Sequence, residues 1–142
     1  MMAELQPVAP DLIDETCGVP HLVAGKSRAD GRIVFPLPQG PAAAEFERVK
    51  LGRTGTLWSW TVQRFRPKTP PYAGDDAESF RPFAVGYVEL AGQVIVESRL
   101  LVDDFSTLRI GMPMELAIEA FRAIGGRTVK TYAFRPNSGA MR

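Results

Sequence analysis

Apolar and polar side chains alternate most regularly between Gly55 and Phe65, GTLWSWTVQRF, where threonine, tryptophan and valine suit a pleated surface better than a helix. Even positions carry Trp58, Trp60 and Val62, and odd positions carry Leu57, Ser59, Thr61, Gln63 and Phe65. A long strand is predicted, with both tryptophans turned together onto a core. Pro82–Leu90 and Gln93–Val102 flank Ala91-Gly92, the spacing of a tight hairpin. In its second arm Val94, Val96, Leu100 and Val102 share a face, with Glu97 and Arg99 on the other. Gly86 falls inside the first arm, where a missing side chain marks a bulge or a barrel corner. Asp103–Leu108 fits one capped helical turn. Met112, Met114, Leu116 and Ile118 line one side of a fourth strand, and Thr128–Phe134 makes a fifth after Gly125-Gly126. Five strands with a helical turn between the third and fourth predict an all-β fold, a small five-stranded barrel of the OB type.

The N-terminal third reads differently. Residues 1–20 hold Pro7, Pro10 and Pro20 around a short apolar patch at Leu12 and Ile13, too little for a stable helix. They are expected to be an arm that needs a surface to lie on. His21–Gly25 begins a compact segment, Asp30-Gly31 is a turn into a short strand at Arg32–Phe35, and Pro36, Pro38 and Pro41 stop it. Ala42–Val49 has modest helix propensity, closed by Gly52. The predicted division is an arm over residues 1–50 and a barrel over 51–142. Between the first two barrel strands, Arg66–Arg81 carries Pro67, Pro70 and Pro71, the pair Asp75-Asp76, and Tyr72 and Phe80 near its tip. A loop of about sixteen residues exceeds what joining two strands needs, so it and the arm are the expected partner surface.

Composition narrows the class. With 142 residues, 45% hydrophobic and 23% charged, the chain supports one domain with a real core plus an appendage. A net charge of +1 conceals blocks of −2 over residues 1–42, +4 over 43–68, −6 over 69–119 and +5 over 120–142. That is not the uniformly basic footprint of a nucleic-acid binder. Cys17 is the single cysteine, which excludes an intramolecular disulfide. No apolar run reaches about 18 residues and no basic start leads into one, so no membrane span is expected and a cytoplasmic location is.

Candidate chemistry is sparse. Arg64, Arg66 and Lys68 recur at spacing two and project together if the chain stays extended, making them the candidates for gripping a phosphate. Solvated charge is the plain alternative. Trp58 and Trp60 could stack on bases, although their phase with Val62 favours core packing. His21 is the only histidine, and Ser27, Ser59 and Ser98 have no base near them in sequence. Glu89, Glu97 and Glu119 lie in strands among apolar neighbours, where pairing with Arg99 or Arg109 is a simpler role than acid–base catalysis. No catalytic residue is assigned.

Five segments together carry a family resemblance: GRIVFP at Gly31–Pro36, GTLWSWTVQRF at Gly55–Phe65, PFAVGYVEL at Pro82–Leu90, LRIGMPMEL at Leu108–Leu116 and TYAFRP at Thr131–Pro136. The chain resembles the acyl-CoA-associated OB-fold family, whose members carry a rubredoxin-like zinc ribbon before the barrel. Laid on this sequence, the two C-x-x-C pairs of that ribbon fall on Ser27, Asp30, Gly40 and Ala43. The resemblance therefore implies a degenerate, metal-free ribbon segment, because a structural zinc site wants four sulfur or nitrogen ligands. It also implies a non-catalytic accessory subunit of a thiolase-like or hydratase enzyme acting on acyl-CoA thioesters in lipid or steroid metabolism. On that reading the barrel scaffolds the complex, no cofactor is tightly bound, and a CoA thioester is contacted only alongside the partner. The alternative is a single-stranded nucleic-acid-binding barrel, which the fold permits and the charge distribution disfavours.

Overall fold

The computed structural model describes residues 7, 9, 11–64, 81–122 and 127–137. Nine strands account for its regular structure among these residues: β1 (Ile13–Asp14), β2 (His21–Ser27), β3 (Ile33–Val34), β4 (Phe46–Lys50), β5 (Thr54–Gln63), β6 (Phe83–Leu90), β7 (Val94–Leu100), β8 (Pro113–Arg122) and β9 (Thr128–Pro136). Strands β5 to β9 close the expected five-stranded barrel, in the order β5-β6-β7-β9-β8. Every pairing in it is antiparallel except β7 with β9, which meet in parallel at Leu100 and Phe134. A 3-10 turn at Phe105–Thr107 joins β7 to β8, and the Asp104 carboxylate caps it by accepting from the Ser106 amide at 3.0 Å. The fold class is thus all-β with a five-stranded OB-type barrel.

Inward positions of the barrel strands form one apolar core. Leu57, Val88, Leu90, Val96, Met114, Leu116 and Phe134 are fully buried within it. Gly86 lies on β6 opposite Trp60, and a Cβ there would come within 2.7 Å of the Ser59 carbonyl oxygen and 2.9 Å of Leu100 Cδ1. Glycine is required at that point because β5 and the Leu100 side chain crowd it, whereas the irregularity in the β5–β6 ladder falls between Leu57 and Ser59.

The N-terminal third is more structured than its prolines suggest. β2 is the centre of a small antiparallel sheet, with β4 along one side and the short β1 and β3 along the other. The helix expected over Ala42–Val49 is a correction: a 3-10 turn at Gly40–Glu45 gives way to β4. Extended backbone wins there because β4 completes five residues of ladder with β2, whereas the segment has no helical apolar face to bury. Leu22 and Ala24 of β2, with Leu51 after β4, join the same buried cluster as the barrel. Phe35 packs edge-on against Tyr132 of β9, centroids 5.5 Å apart, and Pro7 makes an isolated parallel bridge to Lys130. The apolar patch at Leu12 and Ile13 is likewise used, Leu12 being buried and Ile13 packed on the cluster.

Candidate functional site

The outer face of β5, β6 and β7 departs most from expectation. Thr56 opposes Glu89 and Leu57 opposes Val88, but Tyr87 is then met by Ser59, so Trp58 is an extra residue in the ladder. Such a bulge reverses the inward–outward alternation beyond it. Leu57 therefore points in from one side of the bulge and Trp60 packs against the core from the other, while Trp58 is turned out and 55% exposed. The shared Trp face is thereby corrected: one tryptophan is half-buried against the core and the other is a surface residue. Trp58 packs edge-on against Tyr87, itself 42% exposed, with ring centroids 6.3 Å apart. Across β6 and β7, Tyr87 faces Glu97 and Glu89 faces Ile95, so apolar and acidic side chains alternate in both directions. Nothing in the sequence marks the bulge, since Trp58 keeps perfect phase with Trp60 and Val62.

A cleft of about 280 Å³ opens beside this face, lined from β6 to β9 by Phe83, Arg99, Glu119, Thr131 and Tyr132 among others. It exists because β7 and β9 are joined only at Leu100–Phe134, so the strands part on one side of that bridge. The Tyr132 hydroxyl spans the gap and donates to the Glu97 carbonyl at 2.9 Å, and burial pushes its pKa up. The Arg99 guanidinium lies 4.9 Å from the Phe83 ring centroid and 3.9 Å from the Glu119 carboxylate. Burial raises Glu119 and Arg99 pulls it back. Ser98 is buried with its hydroxyl donating to the Arg99 carbonyl at 2.9 Å, which leaves it no base. This cleft can hold a small, partly apolar group but arranges no nucleophile against a general base.

Of the phosphate candidates, Arg64 is exposed and follows Gln63, the β5 residue paired with Phe83 at the rim of the cleft. Arg66, Lys68 and the Arg66–Arg81 loop lie outside the described residues, apart from Arg81 itself. Glu119 pairs with Arg99 as the simpler reading expects, whereas Glu89 and Glu97 make no ion pair among the described residues. Cys17 and His21 are brought together, Sγ to Nδ1 3.6 Å, a juxtaposition four residues of separation could have suggested. Both turn to the Val19 carbonyl, and burial draws the imidazole toward its neutral form, so the pair closes a turn.

The ribbon positions do not fit a zinc ion. Ser27 Oγ accepts from the Ala29 and Asp30 amides at 3.2 and 3.4 Å, the Asp30 carboxylate accepts from the Arg32 amide at 2.9 Å, and Gly40 and Ala43 bring no donor atom. Arg28 ties the two turns together, its amide donating to the Glu45 carbonyl at 3.0 Å and its Nε to that of Ala44 at 3.3 Å. Among the described residues no three histidine, cysteine or carboxylate side chains gather to hold a metal.

The profile of the family described as "ChsH2, C-terminal OB-fold domain" matches residues 48–119. A solved chain described as "Ltp2-ChsH2(DUF35) aldolase" superposes with a TM-score of 0.56 over 82% of this chain and 84% of its own, at 24% identity. That likeness shows a shared fold. No curated protein matches the chain. The family match spans half of the sequence, from β4 through the barrel strands that carry Trp58, Tyr87, Arg99 and Glu119, and the chain belongs to the family of the ChsH2 C-terminal OB-fold domain.

Proposed function

We propose that the chain is a non-catalytic accessory subunit, assembling with a thiolase-like or hydratase enzyme that acts on acyl-CoA thioesters. The observation that carries this reading is family membership across the strands whose outer face exposes paired aromatics, the kind of surface obligate partners cover. The similar solved chain supports it further, being described as an "Ltp2-ChsH2(DUF35) aldolase". In this arrangement the partner supplies the reacting groups, consistent with a cleft whose serine is engaged by backbone and whose carboxylate is paired with Arg99. Arg64, with Arg66 and Lys68, would meet a phosphate of coenzyme A as it enters the complex.

The test is co-expression with a candidate thiolase-like or hydratase enzyme acting on acyl-CoA thioesters, followed by size-exclusion chromatography and assay of the acyl-CoA reaction. A stable complex whose activity needs both chains is the expected result. A solitary monomer that leaves the enzyme's activity unchanged overturns the reading. A second reading, binding of single-stranded nucleic acid, is favoured by one observation, the outward Trp58–Tyr87 pair. Glu89 and Glu97 beside those rings oppose a phosphate backbone, and a salt-dependent oligonucleotide shift would be needed to restore it.

A further inference from the structure

Trp58 reaches the surface only because β5 carries a bulge at that residue. A bulge leaves one residue unpaired and re-aims the side chains around it, and here the side chain turned outward is the largest in the repertoire. Its neighbours on the outer face are Tyr87 in edge-on contact, Ile95 at 41% exposure one strand further, and the carboxylates Glu89 and Glu97 set diagonally between them. The segment bearing exposed Ile110 runs beside Leu57, where the Gly111 amide donates to the Leu57 carbonyl at 2.7 Å. Arg109 is exposed at that margin, and Arg99, the cation on β7, already faces Glu119. On β6 and β7 apolar and acidic side chains therefore alternate, Tyr87 and Ile95 on one diagonal and Glu89 and Glu97 on the other.

We infer that this β5–β6–β7 face, centred on Trp58 and Tyr87, is where the partner enzyme docks, and that the partner presents an apolar pocket bordered by lysine or arginine. The inference rests on the accessory-subunit reading and adds to it the location and the charge of the interface. Charge selects this occupant over two others. A nucleic acid would bring phosphates against Glu89 and Glu97. A second copy docked about a two-fold axis through the centre of the same face would bring that carboxylate pair toward its own image, a like-charge contact that a basic-rimmed partner does not make. A basic-rimmed partner pairs with both carboxylates while its pocket covers the aromatic rings, the arrangement in which tryptophan and tyrosine act as anchors.

The experiment is calorimetric titration of the thiolase-like or hydratase enzyme used in the co-expression test into the full chain and into Trp58→Ala, Tyr87→Ala and the Glu89→Lys/Glu97→Lys double variant, at low and high salt. Thermal melting confirms that each variant is folded. Trp58→Ala should weaken association by about 30-fold or more, the loss typical of a central aromatic anchor. The double reversal should weaken it as well and remove the salt dependence of the wild type. In a Trp60→Phe background, complex formation should shift Trp58 emission to the blue and protect it from iodide. If the wild type binds and the Trp58 and Tyr87 variants bind equally well, the docking face is elsewhere and the accessory reading stands. If the wild type does not bind, the accessory reading falls and this inference with it. Protection of Trp58 by an oligonucleotide, or by self-association alone, overturns the assignment in favour of that occupant.

Discussion

In the barrel, inward side chains at alternate strand positions, Leu57, Val88, Val96, Leu116 and Phe134 among them, interlock in a core that few polar contacts reach, whereas the β1–β4 sheet leans on ion pairs and turn hydrogen bonds. Arg48 reaches Asp11 at 2.7 Å and Asp14 at 3.4 Å, Arg53 donates to the Pro20 carbonyl, and the Lys130 ammonium pairs with Glu15. The difference follows from length. β6 and β9, of eight and nine residues, bury four side chains each, while β1 and β3 have two residues each and must be tied by other means. Apolar burial is insensitive to salt and pH, and ion pairs are not, so the two regions should fail under different conditions.

The largest contrast is within the barrel wall. Leu57→Ala should cost about 2–5 kcal/mol, as truncation of a fully buried leucine does, and Trp58→Ala at the next residue should change stability by less than about 1 kcal/mol. Urea unfolding followed by circular dichroism measures both. Equal losses would mean that Trp58 is packed inward and that the bulge does not form in solution.

The junction of the two regions comes next. Lys130 is 3% exposed and Glu15 is well exposed, so removing either partner is not equivalent. Glu15→Ala strands a buried ammonium and should cost about 1.5–3 kcal/mol, the worth of a hydrogen bond to a charged group. Lys130→Met leaves only an exposed carboxylate and fills the same space with apolar atoms, so the loss should be smaller. Thermal melts of the two variants decide it, and the reverse order would show that Lys130 reaches water.

The barrel was legible in the sequence because its signal is repetition. VIVESRL shows its buried positions in strict alternation, and the strands β5 through β9, the hairpin and the capped turn after Asp104 follow from local patterns of that kind. The bulge escaped because a parity change requires knowing the register against β6. β4 escaped because Ala42, Ala43, Ala44 and Glu45 favour a helix locally, and local propensity does not reveal the ladder that Phe46–Lys50 makes with β2. The turns tied by Ser27, Asp30 and Arg28 escaped for a different reason, since single polar residues declare partners only once the chain is folded.

That clasp sets a smaller prediction. Ser27→Ala removes the acceptor for two exposed amides and should cost about 1 kcal/mol. Purified protein should contain well under one zinc per chain by elemental analysis, and added zinc should leave the melting temperature unchanged. Stoichiometric zinc whose chelation unfolds the sheet would reverse the assignment of the hydrogen-bonded turns as the tie in that region.

The smallest effect concerns a single carboxylate. Asp14 accepts from the Thr16 hydroxyl at 2.6 Å and from the Thr16 amide at 2.8 Å, and these bonds, with a lesser contribution from Arg48, hold its pKa at about 2 instead of the ordinary 3.8. A carboxyl depressed by folding stabilises the folded state above its unfolded value and loses that contribution as pH falls through the folded one. The β1–β2 contact should therefore loosen between pH 3.8 and about 2, while the barrel core, which carries no such group, stays closed over that range. Thr16→Val deletes the hydroxyl and keeps the amide, so the Asp14 carboxyl resonance should titrate between the two values. The amides of Val23 and Thr16 report the same region by hydrogen exchange, because Val23 donates to the Leu12 carbonyl across β1. If the barrel amides open at the same pH as these, the two regions unfold as one unit and the contrast between them is one of bonding only, with no separate stability.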